Sequence, residues 1–169
     1  MNTTLNKTLR LTGLALAGLM SFSVQANQAK QLQVDNPFVR EMPPVAPATA
    51  AFMTLINAGD QPIAVVRADS DAAKTVELHT HIDDNGVMRM REIPEISVPA
   101  IGQTELKPGG LHVMLIGPTR ALTEGDIVDI KLIMQDGSEK MIQAPVRKIM
   151  GMGMNRPAGS GQGMMHKHH

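Results

Sequence analysis

Apolar and polar positions along this chain fall into short runs, several with the period of two that half-buried β-strands show. Candidate strands are LQVDNPFVR, AAFMTLIN, PIAVVRA, TVELHTHI, GVMRMREI, QTELK, LHVMLIG, DIVDIKLIM and KMIQAPVRKI. Between them stand NAGDQP, DDNG, KPGG, GPTR, TEGD and QDGS, the Gly, Pro, Asn and Asp clusters that turns require. One strand about every ten residues predicts an all-β sandwich or Greek-key barrel. No long helix and no internal repeat emerges. The segment EMPPVAPATA reads as an extended Pro-rich connection or sheet edge.

The same period assigns faces. In TVELHTHI, Val76, Leu78, Thr80 and Ile82 point one way, and Glu77, His79 and His81 the other. In GVMRMREI, Met88 and Met90 share a face. In LHVMLIG, Leu111, Val113 and Leu115 take the core side, so His112 and Met114 turn outward. DDNG joins the first two of these strands as a hairpin, and two registers are open. A four-residue loop over 83–86 sets His79 opposite Met90 and His81 opposite Met88. A two-residue Asn85–Gly86 turn sets His81 opposite Met90. Either register keeps both histidines and both methionines on one face. Glu77 and Glu92 read as solvated neighbours, and Met53, Met134 and Met141 as core filler.

The ends of the chain differ from its middle. Residues 1–26 open with Lys7 and Arg10, continue as LTGLALAGLMSFSV and close on VQA, the pattern of a signal peptide cut after Ala26. A soluble periplasmic protein without a stable membrane anchor is expected. Residues 27–149 suffice for one domain with a real core. Residues 150–169, GMGMNRPAGSGQGMMHKHH with Met150 before it, lack apolar periodicity and are expected to form a disordered Met/His-rich tail. The formal charge is +0 with no basic block, so no nucleic-acid partner is expected. The 169 residues contain no cysteine. That excludes disulfides, thiolate zinc sites, cysteine nucleophiles, blue-copper ligation and a lipid anchored on cysteine.

Opposed side chains on a sheet lie roughly 5 Å apart at Cβ, close enough to share a metal ion. Imidazole suits several metals; thioether is soft and selects Cu(I). The order His79, ten residues, Met90, twenty-one residues, His112, one residue, Met114 resembles the signature of the periplasmic copper chaperones called PCu(A)C. The likeness runs from NPFVREMPPVAPATAAFMTLIN through LTEGDIVDIKLIM. It implies a cupredoxin-like β-barrel that binds Cu(I) as cargo at a surface site made by His79, Met90, His112 and Met114. It also implies delivery to the copper centre of cytochrome c oxidase, on subunit II, directly or through Sco-type partners. His81 and Met88 fall outside the signature. Met150, Met152, Met154, Met164, Met165, His166, His168 and His169 form a possible second copper site, with Cu(II) on the imidazoles. A monomeric, non-enzymatic carrier is expected; copper storage or tolerance, or a structural β-sandwich without metal, are the alternatives.

Overall fold

Ten strands pair into one open ladder. The computed structural model describes residues 27–43 and 45–149; the leader 1–26 and the tail 150–169, with all eight of its candidate ligands, lie outside the described residues. A four-residue helix, α1 (Gln28–Gln31), is capped by the Asn27 side chain and leads into the strands. These are β1 (Leu32–Arg40), β2 (Ala48–Asn57), β3 (Ile63–Asp69), β4 (Ala73–Asp84), β5 (Val87–Glu92), β6 (Ile96–Val98), β7 (Gly102–Leu106), β8 (His112–Pro118), β9 (Ile127–Met134) and β10 (Glu139–Arg147). The ladder runs β5-β4-β8-β2-β1-β10-β9-β3-β6, with β7 also on β2. Its pairs are antiparallel except β1–β10, where Val39 faces Val146. The path ends at β5 and β6 without closing. Of the two expected forms, the fold is therefore the sandwich rather than a closed barrel.

One apolar cluster joins the two halves of the ladder. Ala51, Met53, Leu55, Leu78, Val113 and Leu115 enter it from β2, β4 and β8. Val128, Ile130, Leu132 and Met134 of β9 meet them with Ile142, Ala144 and Val146 of β10. Burial alternates along β9 and β10 as their sequences predict, because a pleated strand can offer only every second side chain to one core. Each large aliphatic side chain buried this way stabilises the fold by about 1.5–3 kcal/mol.

Three expectations need correction. Met141 is not core filler: Ile142, Ala144 and Val146 hold the inner parity of β10, and Met141 is 60% exposed. Ile82 has the inner parity of β4 but stands on the projecting β4–β5 hairpin and is exposed. The segment between β5 and β7 contains a strand, β6, in which Ile96 and Val98 are buried against β3. Pro94 and Pro99 bracket it and limit it to three residues, too short to show a period.

The start of the folded chain is fastened by a carboxylate. Asp136, in the β9–β10 turn, accepts hydrogen bonds from the backbone N–H of Gln28 and from the Ser138 backbone and hydroxyl, while Ser138 Oγ accepts from Ala29 N–H. Burial raises the Asp136 pKa, but these donors outweigh it and hold the carboxyl below its usual 3.8. The ionised form is thus favoured in the fold. This contribution is present above pH 3.8 and is lost as pH falls through the lower folded-state value. Asp136→Asn is expected to lower stability by about 1 kcal/mol at neutral pH and to flatten the acid limb of a urea-denaturation series. An unchanged acid limb would remove this role from Asp136.

Candidate metal centre

The β4–β5 turn sets the site's register. Asn85 and Gly86 both have positive φ, 56° and 84°, the geometry of a two-residue primed turn that matches strand twist. Asp83 Oδ1 accepts the Gly86 N–H at 2.6 Å and braces it. Asp84 therefore pairs with Val87, and His81 faces Met90 while His79 faces Glu92. The two-residue turn is the register the fold adopts. On the other side of β4, His79 pairs with His112 and Glu77 with Met114; Met114 in turn pairs with Ala50 of β2. Parity thus gathers His79, His81, Met88, Met90, His112 and Met114 on the sheet face opposite the main core.

That face is not uniformly wet. His112 has the outward parity expected of it but is only 2% exposed. Two segments wall it, one far away in sequence and one, the KPGG turn, directly before β8. The Pro-rich stretch after β1 turns back over the sheet, tied by Glu41 N–H to the Arg147 carbonyl and by Met42 N–H to the Leu122 carbonyl. The KPGG turn after β7, with Gly109 at φ +81°, closes from the other side. Phe52 of β2 lies beside His112, with ring centroids 6.2 Å apart, and packs on Phe38 at 5.3 Å. Between these walls is a cavity of about 480 Å³ lined by His81, Met90, His112 and Met114 among others. Met90, on the exposed strand β5, is 43% accessible.

The hydrogen bonds fix two of the three rings. His112 Nδ1 lies 3.0 Å from the Gly110 carbonyl oxygen, which can only accept, so Nδ1 carries the proton and Nε2 keeps a lone pair. His79 Nε2 lies 2.7 Å from Glu77 Oε2, and the same reasoning leaves the lone pair on Nδ1. Glu77 is therefore a half-buried partner of His79 rather than a solvated neighbour. Its place at i−2 on the same strand face was the signal. Buried polar groups elsewhere are satisfied: Thr49 Oγ1 donates to the Arg40 carbonyl, and Asn57 bridges Gln61, Pro99 and Gly59. Among the described residues the buried side-chain polar atoms without a partner are His79 Nδ1, His81 Nδ1 and His112 Nε2. A buried group left without any partner costs about 1–3 kcal/mol, so three close together call for one, and all three are metal-ligating nitrogens.

The rings are close enough to share an ion. Centroids of His79 and His112 are 5.7 Å apart, and those of His81 and His112 are 5.3 Å apart. Imidazoles bound to one metal at about 2.0 Å from nitrogen have centroids roughly 5 Å apart. Among the described residues no three His, Asp or Glu side chains are placed as they stand to hold a metal together. Met90 and Met114 share the sheet face of these rings and line the cavity with His81 and His112.

Burial, the largest cause, lowers the His112 pKa below the usual 6.5, and the charges of His81 and His79 lower it further, against the raising effect of the Gly110 hydrogen bond. The unfolded chain takes up this proton near pH 6.5 and the folded chain only lower. Stability of the metal-free protein therefore falls as pH drops from 6.5 through the depressed value, and a proton competes with metal at Nε2 only in that lower range. NMR titration of the His112 ring in metal-free protein should give a midpoint below 6.5; a midpoint at or above it would show that burial does not govern the ring.

Known proteins place this chain. The LpqE-like family matches residues 32–146. A relative from Leifsonia xyli subsp. xyli named "Putative lipoprotein Lxx21020" is 33% identical over 148 residues, covering 87% of this chain and 88% of that protein. The solution structure of CuI-DR1885 from Deinococcus radiodurans is 35% identical with a TM-score of 0.60, covering 75% of this chain and 85% of that one. The copper-bound PCuAC domain from PmoF2 shares the fold at 19% identity and TM-score 0.60, covering 70% and 94%. By the extent of these matches the chain belongs to the LpqE-like family and carries the cupredoxin-like β fold of PCuAC domains, in keeping with the PCu(A)C resemblance of its sequence.

Proposed function

We propose that this protein is an exported copper carrier. It holds one Cu(I) ion between His79 Nδ1, His112 Nε2 and the sulfurs of Met90 and Met114, and gives it up to a copper-accepting protein. One observation carries the reading: two neighbouring imidazoles, each with one nitrogen engaged by a protein acceptor and the other buried and bare, of which His112 lines one cavity with two thioethers. An acceptor behind a ligating histidine fixes its tautomer and raises its basicity; Glu77 and Gly110 do this here. Thioethers select Cu(I) over zinc or calcium. All four ligands are neutral, so no thiolate must be reprotonated when the ion leaves, which favours carriage over retention. DR1885, 35% identical and solved with Cu(I), supports copper as the ion.

Export rests on the leader sequence and on a relative named as a lipoprotein. These 169 residues hold no cysteine to carry such a lipid. Among the described residues no helix is long and apolar enough to cross a membrane. The acceptor in this reading is subunit II of cytochrome c oxidase or a Sco-type protein, as the PCu(A)C resemblance implies. The tail belongs to the same reading. Ile149 lines a groove with Lys148, Thr123 and residues 40–43, and residues 40–43 also wall the metal cavity. Copper captured on the imidazoles and thioethers of residues 150–169 would, in this reading, pass to the cavity site.

Two measurements test this. One equivalent of Cu(I) added to the full chain should shift the methyl resonances of Met90 and Met114 and the ring resonances of His79 and His112. Met114→Ala should weaken Cu(I) binding by more than the roughly 10- to 100-fold that loss of an outer-shell partner costs, while lowering fold stability by only about 1 kcal/mol. A response confined to the tail methionines would remove the site. Separately, truncation after Ile149 should lower Cu(II) stoichiometry and slow copper transfer to an acceptor; equal values in both proteins would remove the tail's role.

A further inference from the structure

The four-ligand reading leaves one imidazole over. His81 is half-buried, lines the cavity with Met90, His112 and Met114, and faces Met90 directly across the β4–β5 ladder. Its ring is nearer to His112 than that of His79 is, 5.3 Å against 5.7 Å. Its Nδ1 is buried without a partner. His79 and His112 are held by Glu77 and Gly110, whereas among the described residues no side-chain hydrogen bond fixes the His81 ring. That ring is thus the one of the three free to turn toward an ion. Two imidazoles and two thioethers already fill a four-coordinate Cu(I) shell, so a third imidazole adds nothing to that ion. It does suit Cu(II), which prefers nitrogen to thioether and stands highest among divalent first-row metals for such donors.

We propose that His81 is a ligand of this pocket, binding divalent copper through Nδ1 together with His79 and His112. The pocket then has a nitrogen side for Cu(II) and a sulfur side for Cu(I), with His79 and His112 common to both. As the three rings stand they do not share one centre, so His81 swings in when Cu(II) arrives and is released when the ion is Cu(I). This rests on the copper-carrier reading and adds to it a second oxidation state at the same site.

The test uses the full chain with His166, His168 and His169 replaced by Gln, so that tail imidazoles do not contribute. Cu(II) is added alone and read by pulsed EPR, which counts coupled imidazoles. Three are expected in this background and two after His81→Gln, with Cu(II) affinity falling by more than the roughly tenfold that loss of an outer-shell partner costs at least. Cu(I) added to the same proteins reports on the rest of the site. Shifts of the Met90 and Met114 methyls that His81→Gln leaves unchanged show that the variant keeps its fold and its Cu(I) shell. Equal imidazole counts and equal Cu(II) affinity with and without His81 would overturn the proposal while leaving the Cu(I) carrier standing. Methyls that ignore Cu(I) in every protein would remove the carrier reading itself, and this inference with it.

Discussion

A buried lone pair without a donor is the constraint around which this structure is arranged. Hydrogen-bond demand is met almost everywhere else: strand ladders absorb the backbone, Asn57 ties three segments, and Thr49 returns its hydroxyl to Arg40. At the junction of β4 and β8 the same economy is suspended for three imidazole nitrogens. The Pro-rich stretch after β1, the KPGG turn and Phe52 wall the cavity that His112 lines and leave that histidine only 2% exposed. These nitrogens have no protein partner among the described residues, so their pairing falls to whatever occupies the cavity. On the proposed ligand set a soft cation would pair two of them, and ion binding and local stability would then be two views of one free energy.

The positions of the strands were legible because period two survives wherever one sheet face meets a core. That is why β9 and β10 fall where their alternation puts them, and why β6, with three residues between prolines, does not announce itself. The hairpin register was legible only as a choice between two, decided by the positive φ of both Asn85 and Gly86. Parity placed His79, His81, Met90, His112 and Met114 on one face, and they share it. Depth was the part that could not be read. Parity says which side of a sheet a residue occupies, not what lies over that side, and part of the wall beside His112 comes from the Pro-rich stretch after β1, far from β8 in sequence. Glu77 illustrates the complementary error. Its spacing from His79 was visible, but an acid beside a histidine on a strand looks the same whether it is solvated or engaged.

The donors differ in how firmly they are held, and the difference follows the topology. β8 lies inside the ladder between β4 and β2, so His112 and Met114 inherit the rigidity of paired neighbours on both sides. β4 is paired on both sides as well, and Glu77 adds a second restraint to His79. β5 is paired on one side and exposed along its whole length. The site is thus graded from a fixed, buried floor at His112 to an accessible rim at Met90.

An edge strand is also the part of a sheet most easily peeled away. The backbone groups of β5 that face outward have no ladder partner, and Arg89 and Arg91 place charge where another sheet would otherwise stack edge to edge. On the proposed ligand set, a copper ion joining Met90 to His112 acts as a rivet between this edge and the interior. Fraying of β5 and loosening of the ion become a single mechanical event, one that opens the cargo to the outside without disturbing the core. A partner that captured the edge of β5 would then unfasten the ion by the same motion with which it docked.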